Sequence, residues 1–202
     1  MSLSLSTPNP QPTPRSLRVE AAGATHTGWR REENEDELAV YPELGLFMVA
    51  DGMGGHAAGG TAARMAVAEV GAAIVAAGPP SSRPLRPSPA ALLESAIQRA
   101  NASIFAAAQQ DPAMLGMGTT IVAALAQDGR LTVAHVGDSR AYLLRGRYLQ
   151  RLTEDHSFIN QCRYAGIDPL TPPTSDSAQR RVTIFAPNKA SVRGRSGRSA
   201  TA

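Results

Sequence analysis

One cysteine stands among the 202 residues, and aromatic side chains make up only 4% of them. A lone Cys162 can close no internal disulfide and build no cysteine zinc cluster, so nothing points to an oxidising compartment, and a cytoplasmic setting is the expectation. So few aromatics leave no stacking platform for bases. The sequence pI is about 9.5 and the formal net charge +3, but Lys189, Arg193, Arg195 and Arg198 crowd the Gly/Ser/Arg-rich ending. That reads as a solvated tail, and no nucleic-acid partner is expected. Long hydrophobic runs are missing as well. Val67 to Ala77 is interrupted by Glu69 and Gly71 and falls short of the roughly 20 residues that cross a bilayer, so no membrane span is expected. Met1 to Pro14 carries no early positive charge and no apolar centre, unlike a secretory signal.

What is present is enough apolar sequence, 43% of the chain, for one domain with a buried core. Residues 1–16, rich in Pro and Ser, read as a disordered leader. Short strand-like runs follow at Arg18 to Ala22, Glu37 to Tyr41 and Leu44 to Ala50, with Pro42 and Glu43 marking a turn. The Gly-dense stretch Gly52 to Gly60 reads as a loop. Behind it, Ala63, Ala66, Val67, Val70 and Ile74 share one helical face, and after a Pro-rich connection Leu93, Ile97, Ala100, Ile104 and Ala107 share another. Four strand candidates come next, at Thr119 to Gln127, Arg130 to Val136, Arg140 to Arg145 and Tyr148 to Leu152. The links Asp128-Gly129 and Gly146-Arg147 favour antiparallel hairpins. This order implies an α+β fold, sheet on sheet with helices outside. The domain is expected over 17–165, with a short helix at Phe158 to Ala165 and a divergent, disordered tail over 166–202.

The chemistry gathers where hydrophobic runs end. Asp51 follows Leu46-Phe47-Met48-Val49-Ala50, which presents a carboxylate at the end of a buried strand beside bare glycine backbone, a costly place for an unpaired charge. A hard divalent ion such as Mg²⁺ or Mn²⁺ would compensate it, and Gly52 leaves its carbonyl free to join. A turn former or helix cap before the glycines fits the same spacing equally well. Other acids cluster at Glu32-Glu33-Asn34-Glu35-Asp36 and at Asp138.

Five segments in order break the tie: Arg31-Glu-Glu-Asn-Glu-Asp36, Asp51-Gly-Met-Gly-Gly-His56, Gly118-Thr119-Thr120, Val136-Gly-Asp138-Ser139-Arg140 and Thr153-Glu-Asp155-His156-Ser157. Together they resemble the successive motifs of the PPM (PP2C-like) family of metal-dependent protein serine/threonine phosphatases, bacterial type, over roughly Val19 to Ser157. The resemblance implies an α-β-β-α sandwich of antiparallel sheets flanked by helices, here incomplete at the C-terminus. It also implies hydrolysis of phosphoserine and phosphothreonine by water held at a two-metal Mn²⁺ or Mg²⁺ centre. On that likeness Asp51 bridges both metals, the Gly52 carbonyl binds one of them, and Asp36 holds that same ion directly or through water with Glu35 beside it. Asp138 matches the acid of a third, weaker site. Arg31 matches the family's phosphate-binding arginine, whose planar fork suits phosphate oxygens. His56 is the candidate general acid for the leaving alkoxide, with a solvated loop histidine as the alternative. Arg140 and His156 read as structural. The implied partners are phosphorylated proteins made by a serine/threonine kinase.

Only Asp168 and Asp176 follow Ser157, neither in a motif that would supply the family's remaining metal ligands. A frameshift or premature stop is therefore expected, a short paralogue being the alternative. The rival to an enzyme is an inactive phosphatase-like module that binds a phosphorylated segment or partner.

Overall fold

The computed structural model describes residues 19–54, 57–78, 87–127 and 129–156, together with the backbone of 193–195. Strand β1 (Asp36–Tyr41) turns through a single 3₁₀ turn at Pro42–Leu44 into β2 (Leu46–Met53), and the two pair antiparallel from Asp36↔Asp51 to Tyr41↔Leu46. Helices α1 (Ala57–Ala77) and α2 (Pro89–Gln110) follow. Then come β3 (Gly118–Thr119), β4 (Ile121–Gln127), β5 (Arg130–Val136), β6 (Tyr142–Arg145) and β7 (Tyr148–Arg151). The large sheet runs β1-β2-β4-β5, with β3 on the end of β2 and a short β8 (Arg193–Arg195) on the outer edge of β5; β6 and β7 form a separate hairpin. All pairings are antiparallel, so the expected α+β class and hairpin connections hold.

Period-2 alternation decides which face is covered. Leu46, Met48 and Ala50 of β2 are buried, as are Ile121, Ala123 and Leu125 of β4 and Ala134 and Val136 of β5. They pack against Ala62, Ala63, Ala66, Val70 and Ile74 of α1 and Leu93, Ala96, Ile97, Ala100 and Ile104 of α2 in one core. α2 starts where its sequence says it should: the Ser88 hydroxyl accepts from Ala91 N at 3.2 Å, and Pro89 occupies the first turn, where no amide donor is needed. Residues Ala58–Ala77 are long and apolar enough to cross a membrane by length and composition, longer than the expected interrupted run. Half of that stretch is buried inside the fold, as in a core helix.

Three sequence expectations meet a different outcome. Val19 to Ala22 forms no strand; Glu20 to Gly23 lie across the sheet face opposite the helices, where with Leu38, Val40, Phe47, Val49 and Val122 they line a groove of about 440 Å³. The supposed loop Gly52 to Gly60 is partly regular, since β2 continues to Met53 and α1 already includes Gly59 and Gly60. Thr119 to Gln127 is broken at Thr120, for a reason that belongs to the site. Arg193–Arg195 pairs with Leu131 to Val133 of β5, taking up that edge's free backbone groups. The helix expected at 158–165 and the rest of the tail fall outside the described residues.

Candidate metal and phosphate site

β2 lies between β1 on one side and β3 and β4 on the other, and its hydrogen bonds dictate how the acids meet. Asp51 turns its amide and carbonyl toward β3 and β4, where Thr120 N donates to Asp51 O at 2.9 Å. Gly52 turns the other way and its amide donates to Glu35 O at 3.1 Å. Asp36 and Asp51 are thus opposite one another as a non-hydrogen-bonded cross-strand pair, the arrangement in which side chains come closest. Both lie on the sheet face away from the helices, next to the Leu38↔Val49 pair.

Two carboxylates placed this way repel. Although Asp51 as a residue is exposed, its carboxyl is pushed above the usual 3.8, first by partial desolvation and then by the charge of Asp36, which is also within hydrogen-bonding reach. Arg31 pulls in the opposite direction and Asp138 adds a smaller push. Arg31 itself is 61% exposed and donates from Nη1 to Glu35 Oε2 at 2.9 Å, so Glu35 tethers it beside the pair while leaving most of the guanidinium open.

The glycines make the close approach possible. A Cβ on Gly52 would sit 2.2 Å from Gly59 O and 2.7 Å from Glu35 O, both backbone atoms. A Cβ on Gly59 would meet Gly52 C at 2.9 Å and Glu35 Oε1 at 3.0 Å. The first turn of α1 is therefore pressed against the end of β2, Gly59 on the helix and Gly52 on the strand, and both glycines supply proximity, not flexibility.

The structure brings Arg31, Glu35, Asp36, Asp51 and Gly52 together at one end of the sheet, and Asp138 stands on the turn after β5 within electrostatic reach. His56 lies outside the described residues. Among the described residues no group of three or more His, Cys, Asp or Glu side chains is close enough to hold an ion. The opposed Asp36–Asp51 pair, all oxygen donors with uncompensated charge, fits part of a hard-cation site. The residues that sequence reasoning passed over are the threonines. Thr119 Oγ1 lies 3.0 Å from Asp51 O, and Thr120 Oγ1 accepts from Asp51 N at 3.0 Å; the Gly-Thr-Thr triplet carried no signal of this by itself.

Beyond the site, Arg140 forks onto Asp155 through Nε at 3.1 and 3.2 Å and Nη2 at 2.7 Å, and Arg151 Nη2 adds a contact at 2.9 Å. Arg140 hydrogen bonding, against a smaller desolvation cost, holds the Asp155 carboxyl below its usual range. Gly137 N donates to His156 Nδ1 at 3.3 Å and His156 N to Gly137 O at 3.0 Å, so His156 ties the segment after β7 to the Asp138 turn.

The α+β fold of antiparallel sheets that presents these paired acids is that of the solved PP2C-like phosphatases. The model of the protein phosphatase 2C family matches residues 23–182, past Ser157, where motif resemblance alone was expected to stop; the chain belongs to this family. It is 36% identical over 170 residues to the serine/threonine protein phosphatase PstP of Mycobacterium tuberculosis, covering 84% of this chain and 31% of that one. It is 35% identical over 169 residues to the protein phosphatase PhpP of Streptococcus pneumoniae, covering 82% and 66%. The solved catalytic domain of PstP in complex with two manganese ions superposes with a TM-score of 0.64 at 30% identity, covering 86% of this chain and 70% of that one. The chain thus spans between about a third and two thirds of the length of these curated relatives.

Proposed function

We propose that this chain carries the N-terminal part of a metal-dependent protein serine/threonine phosphatase centre, which hydrolyses phosphoserine and phosphothreonine in proteins phosphorylated by a serine/threonine kinase. The observation that carries the reading is the register pair Asp36↔Asp51, with the Asp51 carboxyl raised by burial and by its neighbour. A fold gains nothing from opposed, part-desolvated carboxylates unless a cation sits between them.

Asp51, Asp36, Glu35 and the Gly52 carbonyl would hold the metal and Asp138 would add a weaker ligand; Mn²⁺ or Mg²⁺ suits these oxygens. When bound, paired divalent ions acidify water and offset charge on the phosphoryl group. Arg31, tethered by Glu35 and otherwise open, orients the phosphate oxygens with its fork. His56 delivers the proton that the departing serine or threonine oxygen needs. The manganese-bound PstP domain supports the use of a metal cofactor, and the lone Cys162 accords with a cytoplasmic setting.

A second reading, an inactive phosphatase-like binding module, is favoured because no three His, Cys, Asp or Glu side chains among the described residues are grouped closely enough to hold an ion. Hydrolysis of a phosphothreonine peptide with Mn²⁺, compared with EDTA and with Asp51→Asn, separates the two. Metal-dependent turnover that disappears in the variant supports the enzyme; a folded protein that binds the peptide without turnover supports the module.

A further inference from the structure

The register that pairs β2 with β3 and β4 runs unbroken from Met53↔Gly118 to Leu46↔Leu125, yet the strand is interrupted at Thr120, directly opposite Asp51. In a regular ladder Asp51 N would donate to the Thr120 carbonyl. Here it donates to the Thr120 hydroxyl instead, at 3.0 Å, while the Thr120 carbonyl accepts from Thr119 Oγ1 at 2.8 Å. A side chain has taken the place of the main chain at the rung that bears Asp51.

That hydroxyl has a second partner, Ser139 Oγ, at 2.6 Å, and Ser139 follows Asp138. Thr120 is 2% exposed. Its methyl fills the space beside Gly137, where an added Cβ would lie 2.6 Å from Thr120 Cγ2 and the backbone has φ +95°. We infer that Thr120 is a positioning residue, whose hydroxyl links the Asp51 backbone to Ser139 and so sets the placement of Asp51 relative to the Asp138 turn. The role of Asp51 and Asp138 as metal ligands rests on the function proposed above; the link itself does not.

Substitution Thr120→Val keeps shape and methyl packing but removes the hydroxyl, leaving Asp51 N without its acceptor. Thr120→Ser keeps the hydroxyl. In the intact chain, Mn²⁺ binding followed by the loss of the free-ion electron paramagnetic resonance signal is expected to weaken roughly 10- to 100-fold in the Val variant, the usual effect of disturbing a ligand's support. The Ser variant should stay near the parent. Amide exchange at Asp51, read by NMR on the metal-free protein, should quicken in the Val variant and be held in the Ser variant. Equal Mn²⁺ affinity and equal Asp51 exchange in a folded Val variant overturn the inference. If the parent chain binds no Mn²⁺, the metal reading of the site fails, and Asp51 exchange alone decides the positioning role: faster in Val than in Ser upholds it, equal rates overturn it.

Discussion

Two clusters of charge sit on this fold, and they are built on opposite plans. Around Asp155, Arg140 and Arg151 supply more positive charge than the single carboxylate requires, in forked geometry. Around Asp51 the balance is reversed: Asp36 faces it directly, Asp138 adds to the repulsion, and Arg31 is tethered to Glu35. The shifts move apart accordingly, Asp155 below its ordinary value and Asp51 above it. A cluster that satisfies itself holds structure together; one that leaves charge uncompensated is prepared for something from outside.

The largest effect should come from removing the uncompensated charge that the proposed ions need. Asp51→Asn is expected to bring Mn²⁺-dependent hydrolysis of a phosphothreonine peptide down to the level seen with EDTA, whereas Asp155→Asn should leave most of it. Loss of activity in both alike would erase the functional distinction between the clusters.

Next in size is the close approach that builds the acidic end. Gly52→Ala drives a methyl into Gly59 O and Glu35 O, backbone atoms that cannot swing aside, and should cost about 3 kcal/mol in chemical denaturation. A variant as stable as the parent would show that α1 and β2 can part there without penalty.

The self-satisfied cluster should matter to stability and to its pH dependence. Because folding lowers the Asp155 pKa, its contribution is present above about pH 3.8 and fades as the pH falls through the folded value. Asp155→Asn should therefore lower the melting temperature at pH 7 by roughly 2–4 °C, the exposed arginines limiting the effect, with the gap to the parent closing in acid.

The smallest effect has the opposite sign. Folding raises the Asp51 pKa, so its ionisation opposes folding once the pH passes the unfolded value near 3.8, and fully so above the folded one. Metal-free Asp51→Asn should be more stable than the parent at pH 7 by a few tenths to about 1 kcal/mol, with no gain below pH 3.8. A mutation that stabilises the chain while abolishing hydrolysis is the signature of a site held under strain for function. Destabilisation at neutral pH would instead make Asp51 a structural acid.

The legible part of the molecule is the part that repeats. Apolar spacing placed α1 and α2 on the buried faces they occupy, with Ala63, Ala66, Val70, Leu93, Ile97 and Ile104 all buried, because a period of 3.6 leaves a trace in any single sequence. Ordered motifs carried the family. Hairpin links fixed the antiparallel sense of β4, β5, β6 and β7. The strand expected before Thr25 and the loop expected through Gly60 failed for one reason: composition reports what a segment tolerates, and glycine serves a tight approach as well as a turn.

Sequence by itself therefore determined the class of fold, the helical faces and the acids worth watching, since each depends on local spacing and residue type. Only tertiary structure decided that Asp36 faces Asp51 across a rung without hydrogen bonds, that the Thr120 hydroxyl replaces a main-chain carbonyl there, and that Arg140 spends its fork on Asp155. Those outcomes depend on register between segments up to 69 residues apart. Register is set by how whole strands pair and bury their faces, which no single stretch of sequence contains.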